Sequence, residues 1–347
     1  MAASLSAADA PLAGLKVVEL HAIGPVPFAG QLLRSLGADV ARVSPPTDRG
    51  VGIGMDPMHD LSNLGKRPVA LDLKSADGLA QARALIGGAD VLLEGFRPGV
   101  LERLGLAPAE LLAANPRLVV GRLSGWGSRG PLADRAGHDI NYLGLAGLLN
   151  GIGTREAPVP PLNVVGDYGG GAMLLTVGVL AALVRRGVDG RGGVVASSIL
   201  AGSVTLSPIF YGMLAAGLWK IGRAANVLDG GAPYYRVYRT ADDRFVAVGA
   251  IEPRFYAELL EVTGLAGRLD PRRQNDRATW DETARVFAER FAQRTRDDWA
   301  RVAEGTDACL TPVLDFLEAA AHPHNLANGL YRTDPYPQPD RTVTFSR

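Results

Sequence analysis

The chain has 347 residues, enough for two ordinary domains or one large domain with an insertion. Lys plus Arg and Asp plus Glu balance at 36 each, and hydrophobic residues make up 47% of the chain. A sizeable core is therefore expected, while a nucleic-acid or membrane-surface role, which needs a basic excess, is not. The single cysteine, Cys309, excludes an intramolecular disulfide and fits a reducing, cytoplasmic compartment. Within the apolar run Cys309–Leu314 it reads as a small buried hydrophobe.

The opening stretch MAASLSAADAPLAG lacks the basic and apolar regions of a secretory signal. Alternating strand and helix signals follow. Lys16–Leu20 reads as a strand, then a helix near Ala29–Leu36 ends at Gly37; Asp39–Val43 and Val69–Leu73 are further strands. Ser75 caps a helix running to Ile86, Asp90–Phe96 is a buried strand closed by Pro98, and Leu118–Leu123 is another strand. Strands alternating with helices at this spacing imply an α/β fold with a parallel sheet and crossover helices.

Beyond Asp139, Ile140–Asn150 and Tyr168–Arg186 read as helices, and Gly193–Val195 as a short strand. Ala172–Val184 is apolar but half a bilayer long. Val195–Trp219 is longer but broken by serines and Pro208, so a buried or interfacial helix is expected rather than a membrane span. A glycine-rich linker around 221–233 leads into a hairpin, Tyr234–Arg239 and Phe245–Ala250 with a turn at Asp242–Asp243. Helices follow at Pro253–Val262, Asp281–Gln293 and Asp297–Glu304. The expected division is a large domain over 1–222, a small α/β domain over 223–320 and a return to the large domain over 321–347.

Three segments place an ionisable group beside glycine in apolar surroundings: Gly137–Tyr142 (GHDINY), Val165–Gly171 (VGDYGGG) and Val248–Pro253 (VGAIEP). Singly, His138, Asp167 and Glu252 are most simply helix caps. Together they suit removal of a proton beside a thioester carbonyl, which requires a base near neutrality, an acid on the opposite face and donors for the enolate oxygen. Asp139 could fix the tautomer of His138. The successive glycines after Asp167 suggest close approach of a ligand to backbone, and N–H groups there could hold the enolate. Arg42, Lys66, Arg67, Lys74, Arg97 and Arg103 fall near strand ends, where ligands of open α/β sheets bind and where several phosphates could be held. No GxGxxG follows a strand, and neither a P-loop nor a GxSxG elbow occurs. His322 and His324 are the one close histidine pair and read as a turn, so no metal and no separate cofactor are expected.

GLKVVEL with LGADVARV, DLK at Asp72–Lys74, EGFRPGVLERLGL from Glu94, SGWGSRGP from Ser124, GHDINY, PPLNVVGDYGGG, ANVLDGGAPYY, VAVGAIEP, QNDR and DACLTPVL stand in order along the chain. In these motifs the sequence resembles the family III coenzyme A transferases (the CaiB/BaiF superfamily), and within them the α-methylacyl-CoA racemase branch. The resemblance implies a Rossmann-like large domain, a smaller α/β domain and an interlocked homodimer acting on an acyl-CoA thioester. It implies His138 and Asp167 as the two proton carriers, with Glu252 supporting His138. It also implies a coenzyme site lined by Arg42, Leu71, Asp72, Leu73, Lys74, Gly95, Phe96, Arg97, Arg103, Gly137, Asp139, Ile140, Asn141 and Tyr142. Two alternatives share the fold: a CoA transferase using Asp167 as nucleophile, and an inactive CoA-binding homologue. The chain departs from the family pattern at Val26, Leu64, Ala196 and Arg236, and the first two fall in segments that touch coenzyme in relatives.

Overall fold

The computed structural model describes residues 10–47, 53–340, 343 and 345. These fall into two compact units: the first runs to Leu149 and resumes over Pro160–Tyr211, and the second comprises Asn150–Val159 and Gly212–Val343. The chain thus enters the second unit at Gly212 rather than after residue 222. Residues from 321 to Val343 group with that unit, and Phe345 with the first.

The first unit is built on six parallel strands: β1 (Lys16–Leu20), β2 (Asp39–Ser44), β3 (Arg67–Ala70), β4 (Val91–Glu94), β5 (Val119–Ser124) and β6 (Gly193–Ser198). They lie in the order β3-β2-β1-β4-β5-β6, with Val18 beside Ala41 and Leu92, and Val120 beside Val194. Alternate residues face opposite sides, and both sides are covered. Val17, Val40, Leu93 and Val119 join one core with α1 (Pro25–Ser35) and the long helix after β5. Val18, Leu20, Val43, Leu92 and Val120 join the other with Ile86 of α2 (Ala76–Gly87), and with Leu101 of α3 (Val100–Arg103). Strand order reverses between β1 and β4, and the crevice outside the carboxyl ends at that reversal is the usual ligand position of such sheets.

Several boundaries move for identifiable reasons. α1 begins four residues earlier than the apolar pattern suggests, because Pro25 and Pro27 suit its first turn after Gly24 at φ +69°. β3 stops at Ala70, so Leu71–Lys74 form the connection into α2, capped by Ser75 Oγ accepting from the Gly78 N–H at 3.0 Å. The expected helix over Ile140–Asn150 is two pieces, α5 (Asp139–Leu145) and a single turn over Leu148–Gly151, separated at Gly147 with φ +82°. (α4, Pro108–Ala114, precedes β5.)

The expected single helix over Val195–Trp219 is instead the end of β6, then α7 (Ile199–Thr205), then a further helix over Pro208–Ala215. Ser198 caps the first of these by accepting from Ala201, and Pro208, lacking an N–H, ends the run.

Between α5 and β6 the chain forms a wide π-helix over Val165–Met173 and continues as α6 (Leu174–Asp189). Leu162–Asp189 as a whole is long and apolar enough to cross a membrane by length and composition. One face of it packs on the sheet, with Leu175 and Val179 beside Gly121 and with Gly178 beside Val195. The opposite face leaves Met173, Val177, Ala181, Val184 and Val188 exposed in one stripe, Val184 and Val188 at 73% and 87%.

The second unit holds an antiparallel sheet of β7 (Tyr235–Arg239), β8 (Phe245–Gly249) and β9 (Leu310–Pro312), with α8 (Pro253–Thr263), α9 (Trp280–Phe291) and α10 (Arg296–Ala303). Asp243, at φ +58°, makes the tight hairpin turn. Its core is aromatic: Tyr234, Tyr238, Tyr256, Phe287, Phe291 and Trp299 are all buried and in ring contact. Cys309 is exposed, not buried as the apolar run suggested. It enters β9 at φ +48°, and strand alternation buries its neighbours Ala308 and Leu310 while turning the thiol outward.

Candidate active site

The carboxyl edge of the six-stranded sheet gathers residues from distant parts of the first unit. Asp167 lies in the π-helix. Its Oδ2 faces the Gly24 turn after β1 so closely that a methyl group at Gly24 would come within 3.3 Å of it. The Tyr168 ring stacks on Phe28 of α1, with centroids 4.4 Å apart, which fixes the segment against the strand-order reversal. Asn163 Nδ2 donates to Asp167 Oδ2 over a long 3.4 Å.

His138 precedes α5 as its N-cap residue; its own N–H donates to Asn141 Oδ1 at 3.0 Å, tying down the turn. The imidazole is exposed in the single chain and close enough to Asp167 for its positive charge to favour the carboxylate. The balance at Asp167 goes the other way. Burial, reinforced by the negative charge of Asp139, pushes its proton affinity up to about 6, against smaller opposing effects from Asn163 and His138. A carboxyl group in that range can both take up and release a proton near neutrality.

Asp139 does not do what its place next to His138 suggested. It is 8% exposed and turned inward, accepting the Asp167 N–H on Oδ1 at 2.7 Å and the Gly166 N–H as well. Those two N–H groups are therefore engaged and are not enolate donors. The glycines have a similar explanation. A side chain at Gly166 would overlap the Asp139 carboxylate; Gly170 lies against the Ser203 and Gly202 backbone of α7, and Gly171 against Pro25, Leu123 and Ile199. They admit other parts of the protein to the backbone rather than a ligand.

Of the expected coenzyme residues, Leu71–Lys74 follow β3 and Gly95–Arg97 follow β4, so both lie at the carboxyl edge. Asp72, Lys74, Arg97 and Arg103 are exposed, and Arg103 closes α3. Arg42 projects from β2 toward His21, with Nη2 3.1 Å from His21 Nδ1. Gly137, His138, Ile140 and Asn141 surround the α5 start, with Ile140 and Asn141 exposed. Three residues are less available than expected, the first being Leu71, which is buried in the core under the sheet. Tyr142 is buried edge-on against Trp126 and donates its hydroxyl to the Gly137 carbonyl at 2.6 Å. Lys66 is buried, donating to Glu19 Oε2 at 2.6 Å and the Pro27 carbonyl at 2.8 Å, and so is spent inside the fold.

Val26, one of the departures from the family pattern, is buried in the core below Gly95, while Leu64 is partly exposed. Glu252 is an exposed N-cap of α8 in the second unit. Asn163 and Gly24 were not singled out in the sequence, and Gly166 stood out there only as part of the VGDYGGG segment. Asn163 lies inside the PPLNVVGDYGGG motif but four residues before the aspartate, a spacing with meaning only once a turn brings it back. His322 caps a short helix, its Nδ1 accepting the His324 N–H at 3.3 Å, and no group of three or more His, Cys, Asp or Glu side chains suited to a metal occurs among the described residues.

A doubly wound parallel sheet with a histidine and a half-buried aspartate gathered at its carboxyl edge defines the class: an α/β protein with its candidate site at a switch of strand order. More specifically, residues 12–346 match the model of CoA-transferase family III, and the chain belongs to that family. It is 46% identical over 333 residues to the α-methylacyl-CoA racemase of Mus musculus, covering 94% of this chain and 85% of that one. It is 43% identical to the α-methylacyl-CoA racemase of Homo sapiens, covering 93% and 82%. A crystal structure of a CAIB/BAIF family protein from Brucella suis superposes with TM-score 0.81 at 26% identity, over 97% of this chain and 93% of that one.

Proposed function

We propose that the protein is an α-methylacyl-CoA racemase, interconverting (2R)- and (2S)-2-methylacyl-CoA thioesters. The observation that carries this reading is Asp167: a half-buried carboxyl at the switch of strand order, its proton affinity raised to about 6, beside an imidazole from a separate segment. In one direction neutral His138 removes the α-proton and protonated Asp167 delivers a proton to the other face of the enolate. In the reverse direction the Asp167 carboxylate is the base and the His138 imidazolium the acid. A carboxyl group that takes up its proton at about 6 can act as acid in one direction and as base in the other without being trapped in its charged form.

The exposed groups at the edge, Lys74, Arg97 and Arg103, are assigned to the phosphates of the coenzyme, with Arg42 beside them. The 43–46% identity to racemases over more than nine-tenths of the chain supports proton transfer over acyl transfer through Asp167. We further propose a cytoplasmic homodimer in which the stripe Met173, Val177, Ala181, Val184 and Val188 is covered by a second copy; a contiguous apolar face on a helix otherwise invites association. Sedimentation of V184D/V188E as monomer would support that assembly, and an unchanged dimer would remove the stripe from the interface.

The test of the reaction is incubation of (2S)-2-methylacyl-CoA with the protein in deuterated water. Deuterium at C2 with loss of optical purity, and no transfer of CoA to an added carboxylate, is expected. Acyl transfer trapped by hydroxylamine would replace this reading with the transferase; CoA binding without exchange would replace it with an inactive binder.

A further inference from the structure

Asp139 is an ionisable group at the centre of the site that the proton relay does not use. It occupies the first position of α5, directly after His138, and its carboxylate reaches across to the π-helix to accept the backbone N–H groups of Gly166 and Asp167. It therefore touches both segments that carry the proposed proton carriers. The contact leaves no slack: Gly166 has no side chain, and any added carbon would overlap Asp139 Oδ1. At 8% exposure, burial pushes the Asp139 carboxyl above the ordinary carboxylate range, and the two N–H groups oppose that shift by favouring its charged form.

The other groups facing Asp167 are accounted for. His138 presents a positive charge, Asn163 a neutral donor, Gly24 only backbone, and Tyr142 a hydroxyl bonded to Gly137 with Arg97 acting on it from beyond. Among them Asp139 is the group that opposes ionisation of Asp167 by charge.

We propose that Asp139 is a positioning residue that locks the His138 turn to the Asp167 turn and holds a second negative charge beside Asp167. The proposal rests on the reading of His138 and Asp167 as proton carriers. It has two separable consequences. The hydrogen bonds set the separation of the two carriers, a geometric requirement of a relay through one carbon. The charge keeps Asp167 protonated to a higher pH, so that it can serve as acid as well as base.

D139N retains an acceptor oxygen and the shape of the side chain but removes the charge; D139A removes both. Both are compared with wild type by C2 deuterium exchange against pH, and by amide hydrogen exchange at 166–167. D139N is expected to keep KM within about twofold and to move the acid limb of kcat down by at least ~0.5 in pH. D139A is expected to lose at least ~30-fold in kcat with little change in KM, and to lose amide protection at 166–167.

An unmoved acid limb in D139N overturns the role of the charge, and a wild-type kcat in D139A overturns the lock. A merely structural role would lower the yield of folded protein without moving the limb. Should D139A fail to fold, the D139N limb decides. Should wild type itself show no exchange at C2, the proton-carrier reading has failed, and unchanged amide protection in D139A would separately overturn the lock.

Discussion

Asp139 and Asp167 look alike in sequence, each an aspartate in a glycine-containing motif at the start of an apolar helical stretch, and they sit within one hydrogen bond of each other. One accepts two backbone N–H groups and turns inward; the other has one long contact from Asn163 and faces the carboxyl edge. The difference lies in what satisfies each carboxylate. Burial raises the proton affinity of both; at Asp139 two main-chain donors hold that shift back, whereas at Asp167 the charge of Asp139 adds to it and carries it to about 6.

That contrast can be broken by exchanging the properties of the two sites. The largest effect is expected from D167N, which removes an acid/base and leaves the neighbouring hydrogen bonds intact: ~10²–10⁴-fold loss of C2 exchange, with the urea midpoint nearly unchanged. A D167N protein of full activity would make the two aspartates equivalent in the wrong sense. H138A, on the other side of the pair, is expected to lose at least ~10²-fold with CoA affinity retained, measured by calorimetry.

G166A attacks the contact between the two sites, because its methyl overlaps the Asp139 carboxylate. It is expected to cost about 1–3 kcal/mol in stability, and less in a D139A background, where the double-mutant cycle would register the shared contact. Additive costs would show that the crowding lies elsewhere. The smallest effect is expected from N163A. Asn163 favours the Asp167 anion, so its loss raises the proton affinity of Asp167 and moves the acid limb of the pH profile upward by a few tenths. A downward movement would contradict the assigned direction.

The parallel sheet was legible because β1, β2, β4 and β5 are short β-branched runs at crossover spacing, and Ser75 announces α2. What the sequence hid depends on contacts between distant segments. The outward turn of Cys309 follows from a positive φ and strand alternation at β9, neither marked in the run CLTPVL. The inward turn of Asp139 follows from an acceptor need created 28 residues later. The consecutive glycines after Asp167 were read as room for a ligand, but packing of α7 and α1 against the π-helix uses that room. Lys66 seemed free for phosphate because nothing near it in sequence shows the buried Glu19, 47 positions earlier. His138 and Asp167 were identifiable, singly as caps and together by the chemistry they could perform; their shared place at the strand-order reversal required the fold.

The most direct test is the pH dependence of C2 deuterium incorporation into both enantiomers of a 2-methylacyl-CoA. With Asp167 taking up a proton at about 6, exchange in the direction that uses its carboxylate as base should fall off below about pH 6. Exchange in that direction that stays constant well below that pH, or exchange from one enantiomer only, would contradict the paired relay.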